Sequence, residues 1–132
     1  MNKNYISGWG NNKKIYSNIF YPNNFNNIKK ILSKKNKIIP RGLGRSYGDS
    51  AVQKNCIILS NFKKIISFDK KGGFITVQAG LSLKDLLEEI IPYGWFIPVS
   101  PGTKNVTIGG MIASNVHGKN QHLVGCIINH IS

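Results

Sequence analysis

The apolar residues of two segments recur at helical spacing. In residues 24 to 34, isoleucine and leucine share one face and lysine the other, which predicts an amphipathic helix. In a second segment, Ser82 is followed by Asp85 and then by apolar residues at helical spacing as far as Ile91. A serine with an acidic residue three positions later is typical of a helix start, so we expect Ser82 to cap a helix that ends near Pro92.

Short apolar runs rich in isoleucine and valine predict β-strands. These runs are residues 38–39, 56–60, 65–69 and 74–79. The last two flank Gly72 and Gly73, which predicts a hairpin. A further short helix is expected over residues 108 to 114, with Thr107 as its cap. Together these elements predict an α+β fold with a single domain over residues 1–132.

Two glycine-rich segments interrupt this pattern. Residues 41 to 50 read RGLGRSYGDS, and residues 101 to 120 read PGTKNVTIGGMIASNVHGKN. Glycine permits positive φ and lets another molecule approach the main chain closely. Successive turns of this kind direct N–H groups into a concavity that suits a phosphate. Two such segments predict a bound dinucleotide whose pyrophosphate is held mainly by backbone, with the N–H end of the 108–114 helix facing a phosphate.

Neither common nucleotide-binding fingerprint is present. The first segment has the spacing G-x-G-x-x-x-G and is followed by another strand-like run, whereas a Rossmann motif requires G-x-G-x-x-G before a helix. No acidic residue occurs between Asp49 and Asp69, where that motif places one. The P-loop pattern is absent as well. The sequence therefore indicates a strand–loop–strand phosphate site, with an ordinary turn-rich connection as the alternative.

The segments RGLGRSYGDS, VQAGLSLKDLL, PGTKNVTIGG and ASNVHGKN resemble the FAD-binding (PCMH-type) domain of the vanillyl-alcohol-oxidase-type flavoprotein oxidases. Within that superfamily they are most similar to the decaprenylphosphoryl-β-D-ribose 2-oxidase group, as is the early GWGN at residues 8 to 11. The resemblance implies FAD as cofactor. The residues that it implies as cofactor-binding are Pro40, Arg41, Gly42, Leu43, Gly44, Arg45, Ser46, Tyr47, Gly48, Asp49, Ser50, Gly102, Thr107, Ile108, Gly109, Gly110, His117, Gly118, Lys119 and Asn120. For Arg41, binding the cofactor and bracing the loop through carbonyls remain equal alternatives.

The resemblance also implies the chemistry. Hydride would pass from a sugar carbon to the flavin while a base takes the hydroxyl proton, and His117, Lys119 and Tyr47 are the implied catalytic residues. The substrate would be a sugar or a polyprenyl-phospho-sugar, oxidised to its 2-keto form for cell-envelope arabinose. A separate short-chain dehydrogenase would then reduce the product. The expected location is the cytoplasm or the periphery of the inner membrane. The alternatives are a sugar-lactone or alditol oxidase and a non-catalytic flavoprotein remnant.

Residue 45 bears on how FAD is held. Many members of the superfamily attach FAD covalently through a histidine at the position of Arg45. Arginine stays protonated and is no nucleophile, so we expect non-covalent FAD. His117 is the alternative attachment point.

Composition adds little to this interpretation. The formal net charge is +13, but only two of the 18 basic residues are arginine, and the lysines are scattered in pairs. We therefore expect no nucleic-acid partner, which would need clustered basic residues with exposed aromatic residues. The two cysteines, Cys56 and Cys126, lie in apolar stretches and are expected to be buried reduced thiols. No metal site and no transmembrane segment are expected.

The chain ends in an apolar run, IINHIS, at residues 127 to 132. By resemblance the remaining strands of the FAD domain and the substrate domain would follow this point. We therefore expect the 132 residues to be a fragment that is inactive by itself.

Overall fold

The structure is a computed structural model that describes residues 2–35 and 37–132. The chain forms two compact units, Met1–Phe62 and Lys63–Ser132. The first unit contains one helix and a four-stranded sheet. Its elements are β1 (Asn2–Ser7), β2 (Lys14–Phe20), α1 (Phe25–Lys34), β3 (Ile39–Arg41) and β4 (Asn55–Ile58).

The sheet of the first unit mixes antiparallel and parallel pairs, in the order β1-β2-β4-β3. β1 and β2 form an antiparallel hairpin, whereas β4 pairs in parallel with both β2 and β3. Ile19, Cys56 and Ile57 are buried in the centre of this sheet. Ser17 is also fully buried, and its hydroxyl donates a hydrogen bond of 2.6 Å to the Gln53 carbonyl. Satisfied in this way, a polar side chain is tolerated where the strand pattern would place an apolar one.

The second unit combines a hairpin with short helices. Its elements are β5 (Ile65–Asp69), β6 (Phe74–Val77), α2 (Leu83–Ile90), α3 (Ile108–Ala113) and α4 (Gln121–Val124), with 3-10 turns at Ile91–Tyr93 and Ile127–His130. The core of this unit is a cluster of five buried side chains from α2, α3 and the residue preceding Ser82. They are Leu81, Leu83, Leu86, Ile90 and Met111. Burying apolar side chains of this size stabilises a fold by roughly 1.5–3 kcal/mol each.

The helix caps follow the sequence prediction. The Ser82 hydroxyl accepts a hydrogen bond of 3.1 Å from the Asp85 N–H, and α2 begins at Leu83, directly after Ser82. After α2 and a 3-10 turn, Gly94 adopts φ +79°, which ends the helical segment. In the first unit the Asn24 side chain caps α1 in the same way, accepting from the Asn27 N–H at 2.9 Å.

The turn between β5 and β6 is held by the carboxylate of Asp69. Its Oδ1 accepts hydrogen bonds from the N–H groups of Gly72 and Lys71, each at 3.0 Å. These bonds favour the charged carboxylate, so the pKa of Asp69 lies below its ordinary value, with the Gly72 N–H as the largest cause. Gly73 has φ +75° and packs against the Trp95 ring, whose N–H donates to the Lys70 carbonyl at 2.8 Å.

The predicted α+β fold is confirmed, and most predicted elements are present. Ser82 and Thr107 cap their helices as predicted, and the hairpin spans the predicted glycine pair. The helix predicted from Asn24 begins at Phe25, and the cap that Asn24 provides was not predicted. Strand β3 begins one residue later than predicted, at Ile39. The sequence analysis missed the N-terminal hairpin of β1 and β2 and the short helix α4.

Both cysteines are free thiols. Cys56 is buried as expected, but Cys126 is only half-buried, because it lies on a short bridge beside His117 at the margin of the second unit's core. Across residues 2–35 and 37–132, no helix has both the length and the apolar character needed to cross a membrane.

Candidate functional site

The first glycine-rich segment is the crossover between two parallel strands. β3 ends at Arg41 and β4 begins at Asn55, and these neighbouring strands run in the same direction. The connection between two parallel strands must return to the opposite end of the sheet. Here residues 42–54 form that connection, and they contain no helix. The predicted strand–loop–strand arrangement is therefore present, and it leaves a long stretch of backbone outside regular structure.

Arg41 braces this loop. Its guanidinium donates one hydrogen bond to the Ala51 carbonyl at 3.0 Å and another to the Ser7 carbonyl at 2.8 Å. The first bond ties the start of the loop to its end, and the second ties it to the end of β1. Of the two roles considered for Arg41, this geometry is the bracing one.

Gly44 is required by the same guanidinium. Its φ is +68°, a conformation that residues with a side chain rarely adopt. A Cβ at this position would also lie 2.5 Å from Nη2 of Arg41 and 3.0 Å from its Cζ. By contrast, a Cβ at Gly48 would meet nothing within 4 Å. Within this loop, Gly44 is therefore required by contacts inside the protein, whereas Gly48 faces open space.

The N–H groups in the middle of this loop, from Leu43 to Gly48, have no hydrogen-bond acceptor within the described part of the chain. The loop is half-buried at Gly44 and Ser46 and exposed at Arg45, Tyr47 and Gly48. A run of unpaired backbone donors on a glycine-rich loop that Arg41 braces is an arrangement suited to an anion.

The N-terminal hairpin turn contacts this loop, which the sequence analysis did not foresee. Gly8 leaves no room for a side chain, since a Cβ there would lie 2.7 Å from Oδ1 of Asp49 and 3.0 Å from the Gly48 carbonyl oxygen. The next residue, Trp9, stacks under the guanidinium of Arg45, with 4.6 Å between Cζ and the ring centroid. The GWGN motif was the available signal, although the sequence alone assigned it no role.

The second glycine-rich segment differs in how its N–H groups are used. Thr107 caps α3 as predicted, its hydroxyl accepting from the Gly110 N–H at 3.1 Å. The N–H of Ile108 donates to the Leu81 carbonyl and that of Gly109 to the Ala79 carbonyl, both at 2.9 Å. These donors therefore bond within the protein, and the expectation that this end of the helix faces a phosphate stays a prediction that free N–H groups do not support.

Gly109 serves close packing within the second unit. A Cβ at this position would lie 2.9 Å from the Cβ of Ala79 and 3.0 Å from its carbonyl oxygen. The backbone of α3 consequently approaches the segment after β6 too closely for any side chain at residue 109. Gly102, in the same glycine-rich segment, is exposed, and a Cβ there would meet nothing within 4 Å.

Residues 117–120, the HGKN segment, are held in position by contacts with residues 98 to 100. The Asn120 side chain donates to the Pro98 carbonyl at 3.1 Å, and a Cβ on Gly118 would lie 3.1 Å from the Ser100 carbonyl oxygen. His117 precedes this contact and forms an isolated antiparallel bridge with Cys126. The side chains of His117 and Lys119 are exposed.

The predicted site residues are thus divided between the two units. Tyr47 lies in the first unit and is 87% exposed at the tip of the glycine loop. His117 and Lys119 lie together in the second unit, on a segment whose backbone is fixed by its neighbours. Each of the three side chains is accessible, as a residue that contacts a ligand must be.

A family model and curated relatives match most of this chain. The model of a family described as "FAD binding domain" matches residues 18–132. Decaprenylphosphoryl-beta-D-ribose oxidase of Mycolicibacterium smegmatis is 42% identical over 96 residues, which cover 71% of this chain and 21% of that protein. L-gulonolactone oxidase of Scyliorhinus torazame is 30% identical over 103 residues, covering 74% of this chain and 23% of that one. The chain spans about a fifth of the length of these two relatives.

Solved structures show the same fold. Cholesterol oxidase from B. sterolicum superposes with a TM-score of 0.73 at 18% sequence identity, covering 88% of this chain and 24% of the oxidase. At this identity the likeness concerns the fold alone.

Proposed function

Because this chain belongs to the FAD binding domain family, we propose that it is the cofactor-binding part of an oxidoreductase that acts on a secondary alcohol of a sugar. The substrate class that we propose is a polyprenyl-phosphoryl ribose, oxidised to its 2-keto form. The similarity to the ribose oxidase, at 42% identity over most of the chain, supports this choice. The match also includes both glycine-rich segments, since the family model extends over residues 18–132.

The observation that carries the proposal is the set of unpaired N–H groups from Leu43 to Gly48, within the described part of the chain. A pyrophosphate presents several anionic oxygens, and backbone donors held in a fixed concavity bind such a group without needing a cation. Arg41 holds both ends of the loop and Gly44 provides its turn. Little conformational entropy remains to be lost when a ligand binds to a loop that is already held in shape.

The second unit would contribute through the exposed backbone of Gly102 and through the HGKN segment. The N–H groups of Ile108, Gly109 and Gly110 are engaged within the protein, so their role in our proposal is to fix the shape of this segment. Gly102 faces open space, which permits close approach of a ligand to its backbone.

Bound FAD would supply the hydride acceptor for oxidation of the alcohol carbon. The protein residues have separate tasks in our proposal. Lys119, an exposed cation, stabilises an anionic phosphate or a developing alkoxide. His117 orients the sugar hydroxyl by hydrogen bonding and accepts its proton. Tyr47, in the first unit, is a further proposed catalytic residue through its phenolic hydroxyl.

We further propose that FAD is held without a covalent bond, because Arg45 offers no nucleophile. The keto product of this reaction would require a second enzyme, a reductase of the short-chain dehydrogenase class, if it is to become arabinose for the cell envelope. The proposed location is the cytoplasm or the periphery of the inner membrane.

A sugar-lactone oxidase is the second candidate. The identity of 30% to L-gulonolactone oxidase over 74% of this chain supports it. The two candidates differ in the chemistry of the substrate, because a ribosyl phosphate is anionic and a lactone is neutral. Loss of Lys119 should therefore impair turnover much more for the first class of substrate than for the second.

The test has two stages. FAD is first titrated into the purified chain while flavin fluorescence is followed, with a Gly44→Ala variant as the control for the loop. The complete gene product is then offered a polyprenyl-phosphoryl ribose and, separately, L-gulonolactone, and reduction of an added electron acceptor is recorded. Turnover of the ribosyl phosphate supports the proposal. Turnover of the lactone alone would establish the second candidate, and absence of flavin binding by the complete protein would contradict both.

A further inference from the structure

Arg45 is held by an aromatic ring. Its guanidinium carbon lies 4.6 Å from the ring centroid of Trp9, within the range of a cation–π contact. Among the described residues the Arg45 side chain donates no hydrogen bond, and it is exposed. This contrasts with Arg41, whose guanidinium is occupied by two backbone carbonyls.

A guanidinium that stacks on a ring keeps its donors available. The five N–H groups of arginine lie in the plane of the guanidinium and point outward from its edge. A cation–π contact with an aromatic ring restrains the charge without using any of these donors. An arginine arranged in this way is prepared to bind two oxygens of a phosphate in parallel.

The position of Trp9 is itself fixed. Its backbone N–H donates to the Ser46 carbonyl at 3.4 Å, and the residue before it, Gly8, packs against Gly48 and Asp49 with no space for a side chain. The turn is closed by a hydrogen bond of 3.1 Å from the Asn11 N–H to the Gly8 carbonyl. The backbone at Trp9 is therefore bonded to the same loop whose N–H groups from Leu43 to Gly48 donate to no other atom among the residues that the structure describes.

We propose that Trp9 is a positioning residue that holds the Arg45 guanidinium beside these N–H groups as a ligand for the pyrophosphate of FAD. This inference rests on the proposed function, since it names a further part of the same cofactor site. It gives the N-terminal hairpin a task in cofactor binding, although the hairpin turn lies more than 30 residues before the loop.

The experiment compares the FAD dissociation constants of four proteins. They are the wild type, Trp9→Phe, Trp9→Leu and Tyr16→Leu. Trp9 is 56% exposed and Tyr16 is 54% exposed on the same hairpin, where Tyr16 packs on Tyr5 rather than on the loop. Tyr16→Leu is therefore the matched control for general damage to the hairpin. We expect Trp9→Leu to raise the dissociation constant about threefold to tenfold and the other two variants to stay within about twofold.

A second arm separates positioning from mere packing. If Trp9 acts through Arg45, Trp9→Leu causes no further loss of affinity in an Arg45→Met background. A loss of equal size in that background would overturn the inference, as would unchanged affinity in Trp9→Leu alone.

A readout without flavin completes the test. With 5-fluorotryptophan incorporated, the two tryptophans give two ¹⁹F resonances, and the Trp9 signal is assigned by its disappearance in Trp9→Phe. Arg45→Met should shift the Trp9 signal and leave the Trp95 signal in place. An unmoved Trp9 signal would contradict the stacking. If the complete wild-type protein does not bind FAD, the proposed function fails and the inference fails with it, whereas failure of the Trp9 variants alone affects only the inference.

Discussion

The guanidinium of Arg41 occupies the space into which a side chain on Gly44 would project. A Cβ on Gly44 would lie 2.5 Å from Nη2 of Arg41, while the same guanidinium is held by the carbonyls of Ser7 and Ala51. The glycine is therefore demanded by the protein itself, in addition to any ligand that approaches the loop.

Gly44→Ala should destabilise the first unit and weaken FAD binding. The substitution places a side chain at φ +68° and displaces Arg41 from its carbonyl partners. We expect a loss of about 1–3 kcal/mol in the free energy of unfolding, measured by urea denaturation, and an increase of about tenfold or more in the FAD dissociation constant. Gly48→Ala is the control, since nothing lies within 4 Å of its Cβ position. Equal effects of the two variants would show that Arg41 does not restrict residue 44.

Replacing Arg41 should separate the two parts of the stability penalty for Gly44→Ala, which are the steric clash with the guanidinium and the cost of a positive φ. Arg41→Met deletes two hydrogen bonds from a charged donor and should cost about 1.5–3 kcal/mol of unfolding free energy. In that background the steric part of the Gly44→Ala penalty disappears and only the cost of positive φ remains. A double-mutant cycle measures the difference, and strictly additive penalties would contradict the contact.

Much of the fold could be predicted because its signals are local. Helix α2 has its serine cap and a regular apolar face, and the β5–β6 hairpin has paired glycines, so both lie where the sequence placed them. β1 was missed because four of its six residues are exposed and show no alternation of apolar and polar side chains. β2 was missed because Ser17 occupies a buried position through a bond to the distant Gln53 carbonyl, which no local pattern reveals.

The candidate site could be predicted in part for the same reason. The glycines of residues 41–50 mark the loop, but the roles of its arginines depend on partners elsewhere in the chain. Arg41 bonds to Ser7, and Arg45 stacks on Trp9. The N–H groups of α3 looked free in the sequence, whereas in the structure they bond to carbonyls of the segment that follows β6.

Gly109→Ala should destabilise the second unit. The new Cβ would lie 2.9 Å from the Cβ of Ala79 and would force α3 away from the carbonyl that the Gly109 N–H now bonds. We expect a loss of about 1–3 kcal/mol in unfolding free energy, and weaker FAD binding as the second glycine segment shifts. Gly102→Ala should change stability by less than about 0.5 kcal/mol, because its Cβ position is open. A Gly109→Ala variant of unchanged stability would show that the packing can relax.

FAD should be released intact when the flavin-loaded protein is denatured. Arg45 is no nucleophile toward the flavin, and within the described residues its guanidinium makes a cation–π contact with Trp9. Acid precipitation should therefore leave yellow flavin in the supernatant. Flavin that sediments with the polypeptide would indicate a covalent attachment, and replacement of His117 by Gln would show whether that residue is the site.

Asp69 should make stability depend on pH in the acid range. Its pKa is lowered in the folded state, chiefly by the Gly72 N–H, so its stabilising contribution is complete above the ordinary carboxyl pKa of about 3.9. That contribution is lost as the pH falls through the lowered folded pKa. Thermal unfolding between pH 6 and pH 2 should therefore show a steeper acid decline in the wild type than in Asp69→Asn. An NMR titration that places the pKa of Asp69 at or above 3.9 would contradict this prediction.

The bond from Arg41 to Ser7 also determines when the loop acquires its shape during folding. These residues are separated by 34 positions in the sequence, and β4, which pairs with β3, follows the loop. Closing such a span costs chain entropy before its contacts form, so long-range pairing is a slow step. A nascent chain that has made only its local hairpin and helix thus has no organised loop, and affinity for the cofactor should emerge late, together with the parallel strands.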